Sequence, residues 1–236
     1  MRANQENRRC KFVSFSGIDG AGKSTQIENL YTRLKDAGLS VLLITFWDDV
    51  ARLKRIREGA GHTLFRGDKG VGTPAAPINR RDKNVQSWPM SGVRLGLYLV
   101  DAVSLRFAVE KAVRSGADFV ICDRYAYDEL ANLTLSNPII RAYVRLIMKI
   151  VPRPDIGYFL DADPVQARAR KPEYPLDFLY ASRASYLMLS EFVGGMTIIP
   201  TNSIQDAERQ VTQHVLRLLS LDVTKSHVAE KLVGES

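Results

Sequence analysis

Residues 15–26, FSGIDGAGKSTQ, decide the fold, because they combine closely spaced glycines with a lysine and two hydroxyl residues. Gly17 to Ser24 fits the pattern G-x-x-x-x-G-K-[ST], which wraps backbone N–H groups around phosphate oxygens. A β-rich run, KFVSFS at residues 11–16, precedes the motif, and an apolar repeat at three- and four-residue spacing follows it through Lys35. The motif therefore stands between a strand and a helix, the context in which such a loop binds phosphate.

The residue types of this loop suit a nucleoside triphosphate and a magnesium ion. Lys23 can neutralise the β and γ oxygens, and the Ser24 hydroxyl can bind Mg²⁺. The helix that follows adds the positive end of its dipole. We predict an ATP-binding loop with the members Gly17, Asp19, Gly20, Ala21, Gly22, Lys23, Ser24 and Thr25.

Strands and helices alternate along the rest of the chain. VLLIT at 41–45 and FVICD at 119–123 are continuous apolar runs typical of strands in a parallel sheet, and shorter strands are predicted at 157–160 and 197–199. Periodicity predicts helices over 49–57, 91–115, 127–133, 138–150, 164–170, 178–192 and from 204 onward. This alternation indicates an α/β fold, the three-layer sandwich of P-loop NTPases, with a five-stranded parallel sheet flanked by helices.

Length and composition are those of one globular domain. The chain has 236 residues, of which 45% are apolar and 25% charged. We expect a single domain over 1–236, with its core at about 11–220 and a basic, glycine- and proline-rich loop inserted at 59–89. No apolar run reaches the ~18 residues of a membrane span, and residues 1–10 lack the apolar segment of a secretory signal. With only two cysteines, we expect a cytoplasmic protein without membrane contact.

The net charge of +7 predicts anionic partners. The basic residues are spread over several segments, and the chain shows no basic stripe interleaved with aromatic residues, as single-strand binders have. This pattern favours small phosphorylated molecules over nucleic acid.

A carboxylate is expected beside the loop, at the end of the strand FVICD. Asp123 ends that strand, and Arg124 follows it. Ligands of open parallel sheets bind at the carboxyl ends of the strands, so Gly17, Asp48 and Asp123 should lie along one edge. Asp123 is the predicted Mg²⁺ carboxylate, direct or through water; the alternative is a structural carboxylate at a strand end.

Three blocks of this sequence resemble the thymidylate kinase family of P-loop nucleoside monophosphate kinases. The blocks are FSGIDGAGKSTQ, ICDRYAYDELA and FLDADPVQARARKPEYP, and the resemblance covers roughly residues 11–220. It implies transfer of the γ-phosphoryl group of ATP, with Mg²⁺, to a nucleoside monophosphate, dTMP in the family. It also implies a homodimer formed through helices beside the sheet.

The resemblance assigns roles to residues near the acceptor. Asp19 would accept a hydrogen bond from the sugar hydroxyl of the acceptor, and Arg124 would grip the acceptor phosphate. Gly20 marks the subtype whose catalytic cation comes from the lid. In the predicted lid, 164–176, Arg170 falls on the family's arginine and Lys171 follows it.

The lid is shorter than is usual in the family. Arg168 and Arg183 therefore stay open as alternative lid cations beside Arg170 and Lys171. After the last strand, Thr201 and Asn202 stand in the loop against which the family packs adenine.

The acceptor side departs from the family pattern. The turn after the second strand reads WDD, which keeps a carboxylate at Asp48 but lacks the usual arginine, for which Arg52 or Arg94 could substitute. Counting back from Asp123 by the family's spacing to the arginine that reads the thymine carbonyl lands near Val103, and no arginine stands there.

An aromatic and an acidic residue occupy this part of the chain instead. Tyr98 stands at the base-stacking position and Asp101 follows nearby. A carboxylate prefers amino or imino donors, whereas thymine O4 only accepts, so the base preference stays open. Two further readings also stay open: a nucleoside kinase with Asp48 as general base, and a non-catalytic nucleotide-binding protein.

Overall fold

The computed structural model describes residues 9–46 and 88–220, and the strands of these ranges form a five-stranded sheet. The strands are β1 (Lys11–Ser16), β2 (Val41–Thr45), β3 (Phe119–Asp123), β4 (Ile156–Asp161) and β5 (Met196–Pro200). They pair in the order β2-β3-β1-β4-β5, and every pair is parallel. The predicted five-stranded parallel sheet is confirmed.

Helices follow the strands on the described part of the chain. They are α1 (Lys23–Asp36), α2 (Trp88–Val113), α3 (Ala126–Leu130), α4 (Pro138–Ile150), α5 (Pro164–Arg170), α6 (Leu176–Val193) and α7 (Ile204–Ser220). The predicted α/β class is therefore confirmed, and the bounds of α4 and α5 are those that the sequence predicts.

The predicted bounds of three helices were wrong, because the sequence predicted 91–115, 127–133 and 178–192, and the structure has Trp88–Val113, Ala126–Leu130 and Leu176–Val193. The structure begins α2 at Trp88, ahead of the predicted residue 91, because a proline such as Pro89 is tolerated in a first helical turn. The predicted helix over 127–133 is α3 and ends at Leu130.

Other predictions fall outside the described residues. The helix expected at 49–57 and residues 59–87 of the basic insertion expected at 59–89 lie there, whereas the last two residues of that insertion belong to α2. The single-domain organisation over 1–236 stays a prediction.

The centre of the sheet consists of β1 and β3. All six residues of β1 are buried, and Phe119 to Cys122 of β3 are fully enclosed, as expected for strands covered by helices on both faces. Both cysteines, Cys10 and Cys122, are buried and free. Among the helices of the described ranges, none is both long enough and apolar enough to cross a bilayer.

The topology defines a crevice at the carboxyl ends of β1 and β3. The chain leaves β1 toward β2 on one side of the sheet, whereas it leaves β3 toward β4 on the other side. Adjacent strands whose connections diverge in this way open a ligand-binding crevice between them. Phe15 of β1 lies in register with Asp123 of β3, so the chain segments after both strands emerge side by side.

Candidate active site

The glycine-rich loop joins β1 to α1 at the mouth of the crevice. Gly20 has a left-handed backbone with φ of 82°, and a Cβ at this position would lie 2.1 Å from the carbonyl oxygen of Ala167 in α5. Glycine is therefore needed here both for the backbone angle and for the close approach of α5. The loop and the predicted lid helix are packed directly against each other.

Lys23 begins α1 and folds back over the loop. Its Nζ donates to the carbonyl oxygens of Gly17 at 2.8 Å and Ile18 at 3.0 Å. Burial, reinforced by the positive charge of Arg124, lowers the pKa of Lys23 to about 8. Ser24 and Thr25, by contrast, are exposed at the start of α1. The lysine is thus a buried cation at the base of the loop, with two hydroxyls on its rim.

Arg124 connects the end of β3 to the glycine-rich loop. Its backbone is left-handed, with φ of 66°, and its N–H donates to the carbonyl oxygen of Phe15 at 3.0 Å. The guanidinium donates through Nη2 to the Asp19 carboxylate and through Nη1 to Oδ1 of Asp128 at 3.3 Å. The sequence predicted that Arg124 and the loop converge on one cleft, and the structure brings them into direct contact.

The charges around Arg124 set the ionisation of the neighbouring carboxyls. Burial alone would raise the pKa of Asp19, but Arg124, Lys23 and Lys171 outweigh it and lower that pKa below its usual value. Burial raises the pKa of Asp123, and Arg124 and Lys23 only partly offset this effect. Asp19 is therefore held as an anion, whereas Asp123 would gain from an added cation nearby.

Residues of the predicted lid lie against the glycine-rich loop. Arg170, at the end of α5, donates to the carbonyl oxygen of Gly20 at 3.3 Å and to Gln166 at 3.2 Å. Lys171 forms an ion pair with Glu173 at 3.3 Å. Arg170 thus places an exposed cation beside the phosphate-binding loop.

Curated proteins that are similar to this chain are named as thymidylate kinases. The thymidylate kinase of Prochlorococcus marinus (strain AS9601) is 26% identical over 221 residues, which cover 89% of this chain and 97% of that protein. The probable thymidylate kinase of Methanosphaera stadtmanae is 26% identical over 217 residues, with 89% and 100% covered. That of Thermococcus gammatolerans is 29% identical over 210 residues, with 85% and 93% covered. No protein-family model matches the chain.

Over most of its length the chain is similar to proteins of the thymidylate kinase family. The relatives match over nearly their whole length and carry one consistent name, and the fold and the loop agree with that name. The chain is accordingly an enzyme, a phosphotransferase of the nucleotide kinase type.

One of the alternative lid cations, Arg183, is already engaged in an ion pair. Arg183 of α6 forms a two-point ion pair with Asp161 at the end of β4, with distances of 2.5 and 2.8 Å. Such a forked pair fixes the guanidinium on its partner. Arg183 therefore anchors α6 to the sheet, and among the described residues Arg170 is the candidate cation in contact with the loop. Arg168 is half-buried on α5.

The loop after β5 lies at the same edge of the sheet. Thr201 is buried, and its N–H donates to the carbonyl oxygen of Asp161 at 3.1 Å, whereas Asn202 is exposed. Gln26 of α1 donates to the carbonyl oxygen of Ile204 at 3.1 Å and ties this loop to the helix that begins with Lys23. Of the two residues predicted to border the adenine, Asn202 is thus the one whose side chain a ligand could reach.

Three predicted acceptor residues, Arg94, Tyr98 and Asp101, lie on α2. Arg94 donates to the Tyr98 hydroxyl at 2.8 Å and lies over its ring at 5.5 Å. Asp101 is buried, and its charge contributes to raising the pKa of Tyr143 in α4, an effect that comes mainly from burial. The contact of Arg94 with Tyr98 lies within α2, whereas that of Asp101 with Tyr143 joins α2 to α4. The acceptor roles of Arg94, Tyr98 and Asp101 stay predictions. Asp48 lies outside the described residues, as do Trp47 and Arg52.

Sequence reasoning missed Asp128, the most connected carboxylate of the site. Its carboxylate accepts from Ser16 Oγ at 2.6 Å, Tyr125 N at 3.0 Å and the Tyr186 hydroxyl at 2.8 Å, besides Arg124. The available signal was proximity in the sequence, because Asp128 stands four residues after Arg124, although Arg124 itself lies ahead of α3 with a left-handed backbone. Tyr186 and Ser16 carried no such signal, since nothing in the sequence places them near residue 128.

The close approach of loop and lid predicts an unequal response to two glycine substitutions. Gly20→Ala would force the backbone of α5 to shift, in addition to the strain of a left-handed alanine. Gly38→Ala is the matched control, because its φ of 78° is similar but a Cβ there would meet nothing within 4 Å. We expect the control to lose about 1–2 kcal/mol of unfolding free energy and Gly20→Ala to lose more. Equal losses in thermal unfolding would contradict the described packing.

The burial of Lys23 predicts proton uptake when nucleotide binds. With a pKa of about 8, the lysine is largely neutral above that pH, and a bound triphosphate would favour its charged form. ATP affinity should therefore fall as pH rises above 8, with net proton uptake at pH 8.5 measurable by calorimetry in buffers of different ionisation enthalpy. Lys23→Arg, which stays charged, should abolish the uptake. Equal proton uptake in both proteins would refute the assignment.

Proposed function

We propose that this chain transfers the γ-phosphoryl group of ATP to the phosphate of dTMP, giving ADP and dTDP. The observation that carries the proposal is the contact of Arg124 with Asp19, because it places a cation at the end of β3 against the phosphate-binding loop. Two anionic substrates could therefore meet across this crevice. The curated relatives named thymidylate kinase supply the choice of dTMP.

On the donor side, the loop would hold the triphosphate. Its backbone N–H groups and the N-terminus of α1 would surround the phosphate oxygens, and Lys23 would exchange its bonds to Gly17 and Ile18 for the β and γ oxygens. The exposed Asn202 would border the adenine. This arrangement positions the γ-phosphorus at the mouth of the crevice.

The residues present fit a magnesium ion. The Ser24 hydroxyl is exposed at the first turn of α1, and burial raises the pKa of the Asp123 carboxyl, a cost that a neighbouring cation would relieve. We propose that these two groups, with phosphate oxygens, hold Mg²⁺. When bound, Mg²⁺ would neutralise charge on the β and γ phosphates.

On the acceptor side, Arg124 would bind the acceptor phosphate and Asp19 the sugar hydroxyl. A phosphate oxygen of dTMP then attacks the γ-phosphorus, and the bond from that phosphorus to the oxygen bridging it to the β-phosphate breaks. A phosphate oxygen is already nucleophilic, so the step needs no strong general base. Arg170, with Lys171 beside it, would stabilise the negative charge of the transition state.

The assignment is tested by incubating the purified chain with ATP, Mg²⁺ and separate acceptors. The acceptors are dTMP, dUMP, dCMP, dAMP, dGMP and thymidine, with products resolved by anion-exchange chromatography. We expect dTDP to form fastest, and Lys23→Ala to lower its rate about 10²-fold or more while the protein remains folded. Lys35→Ala, on the exposed face of α1, is the matched control and should retain activity.

The outcomes of this assay separate the competing functions. Phosphorylation of thymidine alone would reject a monophosphate kinase in favour of a nucleoside kinase. Faster phosphorylation of a monophosphate whose base carries an amino group would indicate that the preferred substrate is not dTMP. ATP binding without any product would favour a non-catalytic nucleotide-binding protein.

We also propose that the protein is a homodimer. An exposed apolar stripe runs along α2, at three- and four-residue spacing after two exposed glycines, Gly92 and Gly96; its members are Leu99, Val100, Val103 and Phe107. The apolar side chains of this stripe offer no ion pairs to a partner, whereas a second copy of the same helix could cover them across a twofold axis. Small residues would let the two helices approach closely.

The dimer proposal predicts the effect of a charge in the stripe. Phe107 is 64% exposed, so Phe107→Glu should leave the fold intact but bury a carboxylate in the interface, and the protein should sediment as a monomer. Met188→Glu, on the exposed face of α6, is the matched control and should stay dimeric. A wild-type chain that sediments as a monomer at micromolar concentration would refute the proposal.

The free, buried cysteines agree with a reducing compartment, and we propose a cytoplasmic location with small nucleotides rather than nucleic acid as the anionic partners.

A further inference from the structure

The guanidinium of Arg124 lies between two carboxylates that differ in access. The Asp19 side chain is 17% exposed, whereas the Asp128 side chain is 2% exposed. A ligand entering the crevice could therefore reach Asp19 and compete for it, but it could not reach Asp128. Arginine has five N–H donors in a fixed fork, so Arg124 could bind a phosphate while it stays on Asp128.

The environment of Asp128 is that of a fixed anchor. Its carboxylate accepts hydrogen bonds from Ser16 at the end of β1, from the backbone of Tyr125 and from Tyr186 in α6, and the Arg124 guanidinium occupies the remaining side. A buried carboxylate that is satisfied on all sides has one stable orientation. Asp128 therefore joins both central strands of the crevice to the helix that follows the lid.

Tyr186 contacts Asp128 through its hydroxyl, whereas its ring packs against a strand of the sheet. Its ring stacks on Phe159 of β4, with centroids 5.1 Å apart and an interplanar angle of 13°. Burial, together with the charge of Asp128, raises the pKa of the Tyr186 hydroxyl well above its usual value. The hydroxyl thus remains a donor at any pH at which the enzyme would work.

We propose that Asp128, oriented by Tyr186, is a positioning residue that keeps Arg124 aimed into the crevice while Asp19 exchanges Arg124 for the acceptor. Asp19 is the replaceable partner and Asp128 the permanent one. The left-handed backbone of Arg124, which non-glycine residues adopt rarely, also requires such a restraint. The proposal rests on the proposed function, because that function assigns the binding of the acceptor phosphate to Arg124.

Tyr186→Phe tests the proposal with little change in packing, because the ring and its stack on Phe159 remain. We expect the KM for dTMP to rise about tenfold, with the KM for ATP nearly unchanged. Asp128→Asn, which removes the negative charge, should raise the KM for dTMP further and lower kcat/KM for dTMP about 10²-fold. Tyr158→Phe is the control, because it removes a buried hydroxyl whose contact, with the carbonyl oxygen of Val211 at 3.4 Å, lies away from the crevice.

A double-mutant cycle separates positioning from a merely structural role. If Asp128 acts through Arg124, Tyr186→Phe should change the dissociation constant of dTMP about tenfold in the wild-type background and less than twofold beside Arg124→Ala. The same factor in both backgrounds, or equal losses of dTMP and ATP affinity, would overturn the proposal.

A second measurement does not depend on the acceptor being dTMP. In the unliganded chain, the Arg124 Nε–H should show slowed exchange with water in ¹⁵N NMR spectra, and Tyr186→Phe should speed that exchange while Tyr158→Phe leaves it unchanged. Unchanged exchange in Tyr186→Phe would overturn the positioning role. A wild-type chain that fails to phosphorylate dTMP would reject the proposed function, and the exchange measurement would still decide the role of Asp128.

Discussion

A single guanidinium, that of Arg124, holds the two halves of the active site together. Arg124 stands at the end of β3, yet it binds Asp19 in the loop after β1 and Asp128 in the following helix. Burying these charges is unfavourable unless each is paired, and here every charge faces an opposite one. Because the chain leaves β1 and β3 in opposite directions, this bridge spans the crevice that the sheet topology opens.

Two other charged groups of the site, Lys23 and Asp123, are destabilised by burial and are suited to bind ligands of opposite charge. Lys23 is buried against backbone carbonyl oxygens, with its pKa lowered to about 8, and Asp123 has a raised pKa. Both shifts mean that burial opposes the charged forms in the unliganded protein. Phosphate oxygens at Lys23 and a cation at Asp123 would reverse both penalties, so ligand binding and relief of this cost are expected to occur together.

The sequence predicted those parts of the fold and the site whose residues are close together along the chain. The Gly17 to Ser24 loop, the strand ending at Asp123 and the helix Pro164–Arg170 follow from contiguous patterns, and the structure has them at the predicted places. The engagement of Arg183 with Asp161 and of Tyr186 with Asp128 could not be predicted, because each joins residues more than twenty positions apart through the fold. The acceptor roles of Asp101 and Asp48, on which the predicted base preference rests, stay predictions, and Asp48 lies outside the described residues.

The most direct test is a structure of the protein with a bisubstrate molecule in which adenosine and thymidine are joined through five phosphates. The account predicts that the phosphate chain passes Lys23 and reaches Arg124, that Asp19 leaves Arg124 for the thymidine sugar, and that Asp128 keeps its contact with Arg124. If the molecule occupies the loop alone, with Arg124 still closed on Asp19 and the thymidine end outside the crevice, the account is contradicted.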